Sequence, residues 1–504
     1  MKAGKLIALL LVAAAFIAGY YLGRPGEESL VITRTSTGAS YSGGYDRERD
    51  DDLAAAGSEH GAATEGITHV VNDGESIMEA VKQASPGDTI QVMPGTYHET
   101  VYVDKDGISI IGVIRQGQRA TMDGRGELND AILYSGNNFV VENLLIKRYK
   151  GNAIMGQAGN NFEIRNNIID DTGVYGVFPQ LGKNGIVEHN VISGIEDAAI
   201  YVGMSDNVHV AHNEVFDSVA GIEIENSRHA IVENNYVYNN TGGVLAFITP
   251  GLPVKTTYDV IIRNNFIVDN NTPNFGAPGS TVAGIPAGTG ILVMAADEVV
   301  IESNIIRNNK TAGIIITDHD NAPNVTIDPE SDPSPDRVMI LDNLMANNGY
   351  DTITEVKALM LTELKRGAPD IVRVGTSRDS CIINRHQYVT VGVDDWAECE
   401  ITNTRDVDTY LLDEPVPPRQ ISLEERGKIA YLSICTGCHT YTGRMIGPPV
   451  QIIQALYMDD PEGLAEYIAN PVKKRDDYPE MPPQDYLDPE TRLEVAKYML
   501  QVGN

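Results

Sequence analysis

A short motif that ends in asparagine recurs through the middle of this 504-residue chain. An aliphatic residue begins each copy, two variable residues follow, and between positions 167 and 235 the final asparagine returns every 22 to 23 residues. One solenoid turn of three short strands needs about that many residues, so the spacing predicts a coil that repeats along the chain. We expect an internal ladder of stacked amides from the recurring residues, which are Asn167, Asn190, Asn213, Asn235, Asn265, Asn304 and Asn343.

A second repeat, a stripe of aliphatic residues, follows each motif after about ten residues. Because side chains alternate between the two sides of a strand, one row points into the solenoid and the next residues point outward. The predicted inward row is Val177, Ile200, Ile222, Val244, Ile291 and Ile314, and the outward row is Phe178, Tyr201, Glu223, Leu245, Leu292 and Ile315. An outward row this apolar is unusual for a solvated face, so it predicts a ligand cleft or a surface on which another domain docks.

The residues before the first repeat have the pattern of a cap. Ser76 begins a predicted short helix that includes Val81, and turns and strands are predicted for residues 86–92 and 94–97. This succession resembles the helical cap and first coil of right-handed parallel β-helices of the pectate-lyase type. The resemblance implies a mainly β solenoid over residues 67–412, and in that family the face of the outward row forms the substrate cleft.

Near the C-terminus, Cys435, Cys438 and His439 form the motif CxxCH. The two thiols can reach the two vinyl groups of one porphyrin, and a histidine directly after them can bind its iron. The motif therefore indicates covalently attached haem c. Half of a zinc site would share the CxxC pair, but no second CxxC or HxxxH follows to complete four zinc ligands.

Residues 421–504 contain the other parts of a haem pocket. Two helices are predicted over residues 423–433 and 488–502, and Pro448 lies in a rigid turn whose carbonyl can fix the ring of His439. The segment resembles a class I cytochrome c. The resemblance implies a small all-α domain that holds one covalent haem c.

Met481, in a proline-rich loop, matches the second axial ligand of class I cytochromes c. Met445, Met458 and Met499 compete for this role. Met445 is too near His439 in sequence to reach the opposite face of a haem, and Met499 lies in the closing helix, where packing is the expected role. Iron held by His439 and Met481 has no open coordination site, which implies one-electron transfer and not catalysis at the metal.

The N-terminus predicts a membrane anchor. Lys2 and Lys5 precede an uncharged run of seventeen residues, which as a helix spans roughly 25 Å, the short end of what crosses a bilayer. We predict an uncleaved single-pass anchor over residues 1–23 in a bacterial inner membrane, with the rest of the chain in the periplasm; the alternative is a cleaved signal peptide. A flexible linker is predicted for residues 24–66 and a stiff proline-rich linker for residues 413–420.

The chain contains 38 Lys and Arg against 70 Asp and Glu residues, a net charge of −32. Such a surface repels phosphates, so we expect no nucleic-acid partner. A redox protein is the expected partner of the haem. A polysaccharide is an alternative ligand of the solenoid, although a strongly acidic polymer would need calcium to bind so acidic a protein.

Two further cysteines, Cys381 and Cys399, lie in a β-rich stretch outside the haem motif, with seventeen residues between them. In an oxidising compartment we expect them to form a disulfide, which would contribute about 3 kcal/mol by closing this loop. The alternative is a pair of buried thiols.

Two groups of residues on the solenoid suggest other chemistry. Asp197, Glu223 and Glu225 offer carboxylates for a lyase or epimerase, but no Arg or Lys base occupies the aligned outward positions. His189 and His212 occupy equivalent positions in successive coils and are expected to stack about 5 Å apart. They would bind copper or zinc or serve in acid–base chemistry, or else replace the asparagine found at this turn position in other coils.

An acidic loop near the end of the solenoid offers a site for calcium. Oxygen ligands suit this ion, although acidic proline-rich loops are more often simply solvated. The residues concerned are Asp318, His319, Asp320, Asp328, Glu330, Asp332 and Asp336.

Together these patterns predict a membrane-anchored periplasmic monohaem c-type cytochrome that performs one-electron transfer. The predicted fold is mainly β: a right-handed parallel β-helix, which serves as a platform for a partner or ligand, followed by a small all-α cytochrome domain. Two alternatives stay open. One is a carbohydrate-active β-helix enzyme of the lyase or epimerase type with an appended cytochrome, and the other is a periplasmic metal-handling module.

Overall fold

The computed structural model describes residues 66–278, 280–323, 325, 328–478 and 480–503. The predicted anchor and the flexible linker after it lie outside the described residues. Among the helices that the structure does describe, none is long and apolar enough to cross a membrane.

Residues 63–504 form one compact unit, in which a β-solenoid is followed by a helical domain. The solenoid consists of three parallel sheets, to which successive coils add one strand each. In the described chain the first sheet has twelve strands: Thr68–Val71, Thr89–Val92, Ser109–Gly112, Val140–Glu142, Glu163–Arg165, Lys183–Glu188, Asp206–Ala211, Arg228–Glu233, Tyr258–Arg263, Asp297–Glu302, Met339–Leu341 and Cys381–Ile382.

The second sheet has eleven strands within the described ranges: Val101–Val103, Ile132–Tyr134, Ile154–Gln157, Tyr175–Gln180, Ala198–Gly203, Ala220–Glu225, Gly242–Phe247, Thr289–Met294, Ala312–Thr317, Ile371–Val374 and Thr390–Val391. The third sheet, counted over the same residues, has ten: Gly95–Tyr97, Ala120–Asp123, Leu145–Lys147, Ile168–Asp170, Val191–Ser193, Glu214–Phe216, Tyr236–Tyr238, Phe266–Val268, Ile305–Arg307 and Leu344–Ala346. The prediction of a mainly β, parallel β-helical fold is confirmed.

The interior of the solenoid is filled by aliphatic side chains that stack from coil to coil. On the second sheet, Val177 pairs with Ile200, Ile200 with Ile222, and Ile222 with Val244. All four are fully buried. The alternation of side chains therefore predicted the inward row correctly.

The asparagine ladder forms at a turn of the coil. The side-chain amide of Asn167 donates to the Asn190 side chain at 3.1 Å, and the chain of bonds continues to Asn213 and Asn235 at 3.0 Å each. Each of these amides also bonds to a backbone carbonyl, so no buried N–H group of the ladder lacks an acceptor. The predicted structural role of these asparagines is confirmed.

A second ladder, which the sequence analysis missed, runs beside the first. Asn240 donates to Asn270 at 3.0 Å, Asn270 to Asn309 at 3.3 Å, and Asn309 to Asn348 at 3.2 Å. Each of these residues follows a member of the first ladder by five positions. This constant offset is the sequence signal that would have revealed it.

The described helices comprise a capping helix, a helix near the end of the solenoid and four helices in the C-terminal domain. They are α1 (Ile77–Gln83), α2 (Thr354–Thr362), α3 (Leu423–Ile434), α4 (Val450–Leu456), α5 (Pro461–Ala469) and α6 (Pro489–Gln501). Short 3-10 turns occupy Val282–Gly284, His319–Asn321, Arg385–Gln387 and Cys435–Gly437. The cap helix begins as predicted, because Ser76 accepts a hydrogen bond from the Glu79 backbone.

Two connections hold the end of the chain to the solenoid. Cys381 and Cys399 form the expected disulfide, with their Cα atoms 4.9 Å apart. Further along, the Val416 backbone N–H donates to the Asn161 side chain at 2.8 Å, and the Asn161 amide donates back to the Val416 carbonyl at 2.9 Å. The proline-rich segment of residues 413–420 therefore lies against the coils as it leads into the helical domain.

Candidate functional site

A cavity of about 420 Å³ lies between the second sheet and the C-terminal helical domain. This volume falls within the roughly 300–1,000 Å³ typical of small-molecule and cofactor pockets. Its walls are mainly apolar. Cys435, Cys438, His439 and Met481 all line it, so the four residues that the sequence analysis assigned to haem come together in one place.

The two thiols reach the cavity because helix α3 ends just before the motif. Ser422 begins α3 with a capping box, and the 3-10 turn Cys435–Gly437 follows the helix directly. The backbone N–H groups of Cys438 and His439 both donate to the Cys435 carbonyl, at 3.1 and 2.9 Å. Burial raises the pKa of both thiols to about 12, so they are neutral thiols at physiological pH.

His439 is held in one tautomer. Its Nδ1 donates to the Pro448 carbonyl at 2.8 Å, which leaves the lone pair on Nε2. Burial lowers the pKa of the imidazole, and the neutral ring is the form that binds a metal. Gly447 is required beside it, because a Cβ atom at that position would lie 2.3 Å from His439 Cε1.

The four methionines considered as iron ligands differ in position, and this distinguishes their roles. Met481 and Met499 line the cavity, but Met499 is 3% exposed and packs within the core of the helical domain from α6. Met458 is 72% exposed, and Met445 lines a different, smaller cavity. Met481 is half-buried at the cavity wall, so of these four methionines it is the best placed to present its thioether to a group in the cavity. Its ligation of iron stays a prediction.

The donor set fits a haem c. Two neutral thiols in a tight turn, one neutral imidazole and one thioether are the groups that attach a porphyrin and ligate its iron. Four basic side chains, Lys150, Lys473, Lys474 and Arg475, also line the cavity and suit the acidic substituents of a haem. The sequence analysis missed these four, since Lys150 lies in a turn between repeats and the others lie in a loop without regular spacing.

The solenoid supplies one wall of the cavity. Leu133, Met155 and Phe178 project from the second sheet and are nearly fully buried, at 2%, 6% and 2% exposed. Phe178 lies against the haem motif, because a Cβ atom on Gly437 would be 3.3 Å from its Cζ. The part of the apolar outward row at Phe178 is therefore a docking surface for the C-terminal domain, one of the two roles predicted for the row.

Polar contacts complete this interface. The Gln157 amide donates to the Tyr486 hydroxyl at 2.6 Å, and the rings of Tyr486 and Tyr102 lie 4.7 Å apart. On its other side, the Tyr486 hydroxyl donates to the Gln484 side chain at 2.6 Å. These contacts link the second sheet to the loop that carries Met481.

Three carboxyl groups lie in the smaller cavity, whose volume is about 20 Å³ and whose walls share Tyr175 and Ile446 with the larger cavity. Asp197, Glu223 and Glu225 are 8%, 1% and 4% exposed, under the segment that contains Met445 and Ile446. One carboxyl oxygen of Asp197 and one of Glu223 have no hydrogen-bond partner. The outward direction predicted for Glu223 is correct, but this side is buried by the solenoid loop at Ser280–Val282 together with Met445 and Ile446 of the C-terminal domain.

Burial changes the protonation of these groups. It raises the pKa of Asp197 and Glu223 well above the usual carboxyl range, and the repulsion of a neighbouring carboxylate adds to the effect. It raises the pKa of Glu225 to about 7. Tyr175 lines both cavities, and its pKa is also raised by burial and by the same carboxylates.

The paired histidines stack as predicted. The rings of His189 and His212 lie 4.9 Å apart and are tilted by 8°. Both residues are exposed and have a φ of 55° or 57°, the left-handed conformation that Asn166 and Asn234 adopt at the same place in other coils. This geometry favours the turn role over a metal site.

The acidic loop is held by basic partners and backbone groups. Asp328 pairs with Lys255 at 2.8 Å, and Asp336 accepts a hydrogen bond from the Arg378 side chain at 2.8 Å. Asp318 caps a 3-10 turn by accepting from the Asn321 backbone at 3.0 Å. Within the described ranges, no group of three or more His, Cys, Asp or Glu side chains is arranged to hold a metal ion, and calcium binding stays a prediction.

Comparison with known families agrees with the fold. The family described as the right-handed β-helix region matches residues 126–249 and 217–329. Residues 126–329 are a right-handed β-helix. A search of curated protein sequences gave no match.

Several solved structures are similar to the chain at low identity. The A-module of the Azotobacter vinelandii mannuronan C-5 epimerase AlgE4 is 12% identical, covers 63% of this chain and 85% of its own, and has a TM-score of 0.42. An alginate lyase from Paenibacillus sp. is 15% identical over 57% of this chain and 99% of its own, with a TM-score of 0.42. The DFA-IIIase of Arthrobacter chlorophenolicus A6 is 12% identical over 69% and 98%, with a TM-score of 0.40. We infer nothing about function from likenesses this distant.

Proposed function

We propose that this protein is a periplasmic monohaem c-type cytochrome that transfers single electrons and uses its β-helix as one wall of the cofactor cavity. The observation that carries the proposal is the convergence of Cys435, Cys438, His439 and Met481 on one apolar cavity of about 420 Å³. The neutral, oriented ring of His439 supports it further.

The roles of the chain's own residues follow from their chemistry. Cys435 and Cys438 would attach a haem through thioether bonds, and His439 and Met481 would ligate its iron. When bound, the haem supplies a one-electron redox couple. The Pro448 carbonyl keeps the imidazole in the tautomer that can ligate, and the apolar walls exclude water, which favours the less charged, reduced state.

The proposed location and partners follow from the same chemistry. The predicted anchor of residues 1–23 would hold the protein at the outer side of a bacterial inner membrane, where haem c is attached. A redox protein would donate or accept the electron. The four basic side chains at the cavity would neutralise the acidic haem substituents, in a chain whose net charge is −32.

The test is to produce the full chain in a bacterium that attaches haem c and to measure the mass of the denatured protein. We expect the mass of one covalent haem and the absorption spectrum of a six-coordinate c-type cytochrome. The double variant Cys435→Ala/Cys438→Ala should lose both. The matched control, Cys381→Ala/Cys399→Ala, removes the disulfide pair and should keep the haem; a wild-type protein without covalent haem would refute the proposal.

A second candidate function is carbohydrate chemistry on the second sheet. Asp197, Glu223 and Glu225 favour it, because buried carboxyl groups with raised pKa values are suitable general acids. A polymer would have to displace Met445 and Ile446 to reach them. Incubation of the full chain with acidic and neutral polysaccharides, with and without calcium, would support this function only if product appears and Glu223→Gln abolishes it.

A further inference from the structure

The smaller cavity has the size and the lining expected of a site that binds a proton. Its volume of about 20 Å³ is sufficient for about one water molecule. A buried water makes about two to four hydrogen bonds, and the unpartnered oxygens of Asp197 and Glu223 supply acceptors for them. The loop at Ser280–Val282 and the segment at Met445 and Ile446 close the cavity.

No positive charge compensates the carboxyl groups there. Among the described residues that line the cavity, none is basic. The titratable groups that face one another are Tyr175, Asp197, Tyr201, Glu223 and Glu225 from the second sheet and the turn before it, with Cys438 of the haem motif and Asp130 close enough to interact electrostatically. Ionisation of one carboxyl group in this setting is opposed both by burial and by any second negative charge.

The carboxyl groups and the haem motif influence one another. The two cavities share Tyr175 and Ile446 in their walls. Tyr175 lies between the two cavities, with its ring 4.5 Å from that of Tyr201 and 4.6 Å from that of Phe178. A charge that appears in one cavity is therefore felt in the other through a medium with little water to screen it.

We propose that Asp197, Glu223 and Glu225 form a buried proton-binding site whose occupancy is coupled to the redox state of the haem cavity. The inference rests on the proposed cytochrome function. The bound haem would accept one electron from a donor protein, and one proton from solvent would then bind one carboxylate oxygen of the site. On oxidation by an acceptor protein the same electron and proton leave, so charge and atoms balance in each half of the cycle.

The direction of the coupling follows from electrostatics. A ferric centre has one more positive charge than a ferrous one and therefore favours the ionised carboxylate. Reduction strengthens proton binding, so the site has a higher pKa in the reduced protein than in the oxidised protein. The reduction potential must therefore fall as pH rises between these two pKa values. One proton per electron is a tenfold change in the redox equilibrium per pH unit, or about 59 mV.

The experiment is a spectroelectrochemical titration of the full-length haem protein from about pH 5 to about pH 9. The wild-type potential should fall with a slope approaching one proton per electron in the middle of this range, where the pKa of Glu225 lies at about 7. Glu223→Gln and Glu225→Gln should each reduce the slope. The control Glu188→Gln, on the first sheet beside Arg165, should leave it unchanged.

An infrared measurement on the wild type keeps the proposal testable if a variant fails to fold. The difference spectrum between oxidised and reduced protein should contain the C=O band of a protonated carboxylic acid in the reduced state, and the band should shift in heavy water. A haem-loaded protein with no such band, and with the same slope in all variants, would overturn the proton site while leaving the cytochrome intact. Absence of covalent haem would instead refute the function on which the site rests.

Discussion

Acidic side chains on the first and second sheets of the solenoid differ in their neighbours. On the first sheet they sit in register with bases in the next coil: Arg165 pairs with Glu142 at 2.6 Å, and Arg263 pairs with Glu233 at 2.6 Å. On the second sheet, Glu223 is in register with Tyr201 and Leu245, which offer no charge. Its Oε1 lacks even a hydrogen bond.

The difference indicates what each surface does. Charges that are paired between coils hold the solenoid together and settle its register, so removal of a partner should cost stability. Buried carboxyl groups without partners cost stability at neutral pH, and a fold retains such groups chiefly where function uses them. The buried carboxyl groups of the second sheet are therefore the ones we expect to serve the proposed function, whereas the paired charges of the first sheet stabilise the coils.

The largest effect should come from breaking a pair on the first sheet. Arg263→Met would remove the arginine partner of the largely buried Glu233, which would keep its contact with His209, and would remove hydrogen bonds from Arg263 to the carbonyls of Thr404 and Val407. We expect a loss of about 3–5 kcal/mol in the free energy of unfolding, measured by urea denaturation. Arg405→Met, at an exposed position, is the control and should change it by less than about 0.5 kcal/mol.

Removal of a buried carboxyl group from the smaller cavity, which has no basic residue in its described lining, should have the opposite sign. The folded pKa of Glu225, about 7, is above its ordinary value of 4.5 because of burial. Its stabilising contribution is therefore complete below about pH 4 and is lost as pH rises through about 7, a change of about 3 kcal/mol. Glu225→Gln should thus raise the free energy of unfolding at pH 8 and leave it nearly unchanged at pH 4; a gain that is equal at both values would contradict this account.

The repeat made the solenoid predictable to the level of single residues. The Asn167 ladder, the inward position of Val177 and the stacking of His189 on His212 all follow from a fixed coil length and from side-chain alternation, which are local properties.

The site was predictable only in part, because it lies between two regions far apart in sequence. The CxxCH motif at Cys435 predicts haem attachment from its sequence alone. The apolar row that includes Phe178 predicted a surface on which another domain docks. No spacing relates Tyr175 or Lys150 to residues almost three hundred positions later. Their place in the cavity walls depends on how the helical domain docks, which is a property of the folded molecule.

Glu233, on the first sheet, should show the opposite pH dependence to Glu225. Burial opposes ionisation of Glu233, but its hydrogen bonds to Arg263 and His209 prevail and lower its pKa. Its stabilising contribution is therefore present at neutral pH and is lost as pH falls through the folded pKa. Glu233→Gln should cost about 1–2 kcal/mol at pH 7 and much less at pH 3. Thermal unfolding at the two pH values measures this, and a cost that grows in acid would reverse the comparison.

The prediction with the smallest expected effect tests whether the helical domain covers the second sheet in solution. A Cβ atom on Gly437 would lie 3.3 Å from Phe178 Cζ, closer than ordinary packing, so Gly437→Ala should cost about 1 kcal/mol or less. Phe178→Leu should relieve that crowding. A double-mutant cycle measured by denaturant unfolding should therefore give a coupling of about 0.5–1 kcal/mol. Additivity within about 0.3 kcal/mol would mean that the helical domain does not rest on this face, and the second sheet would then be as exposed as the first.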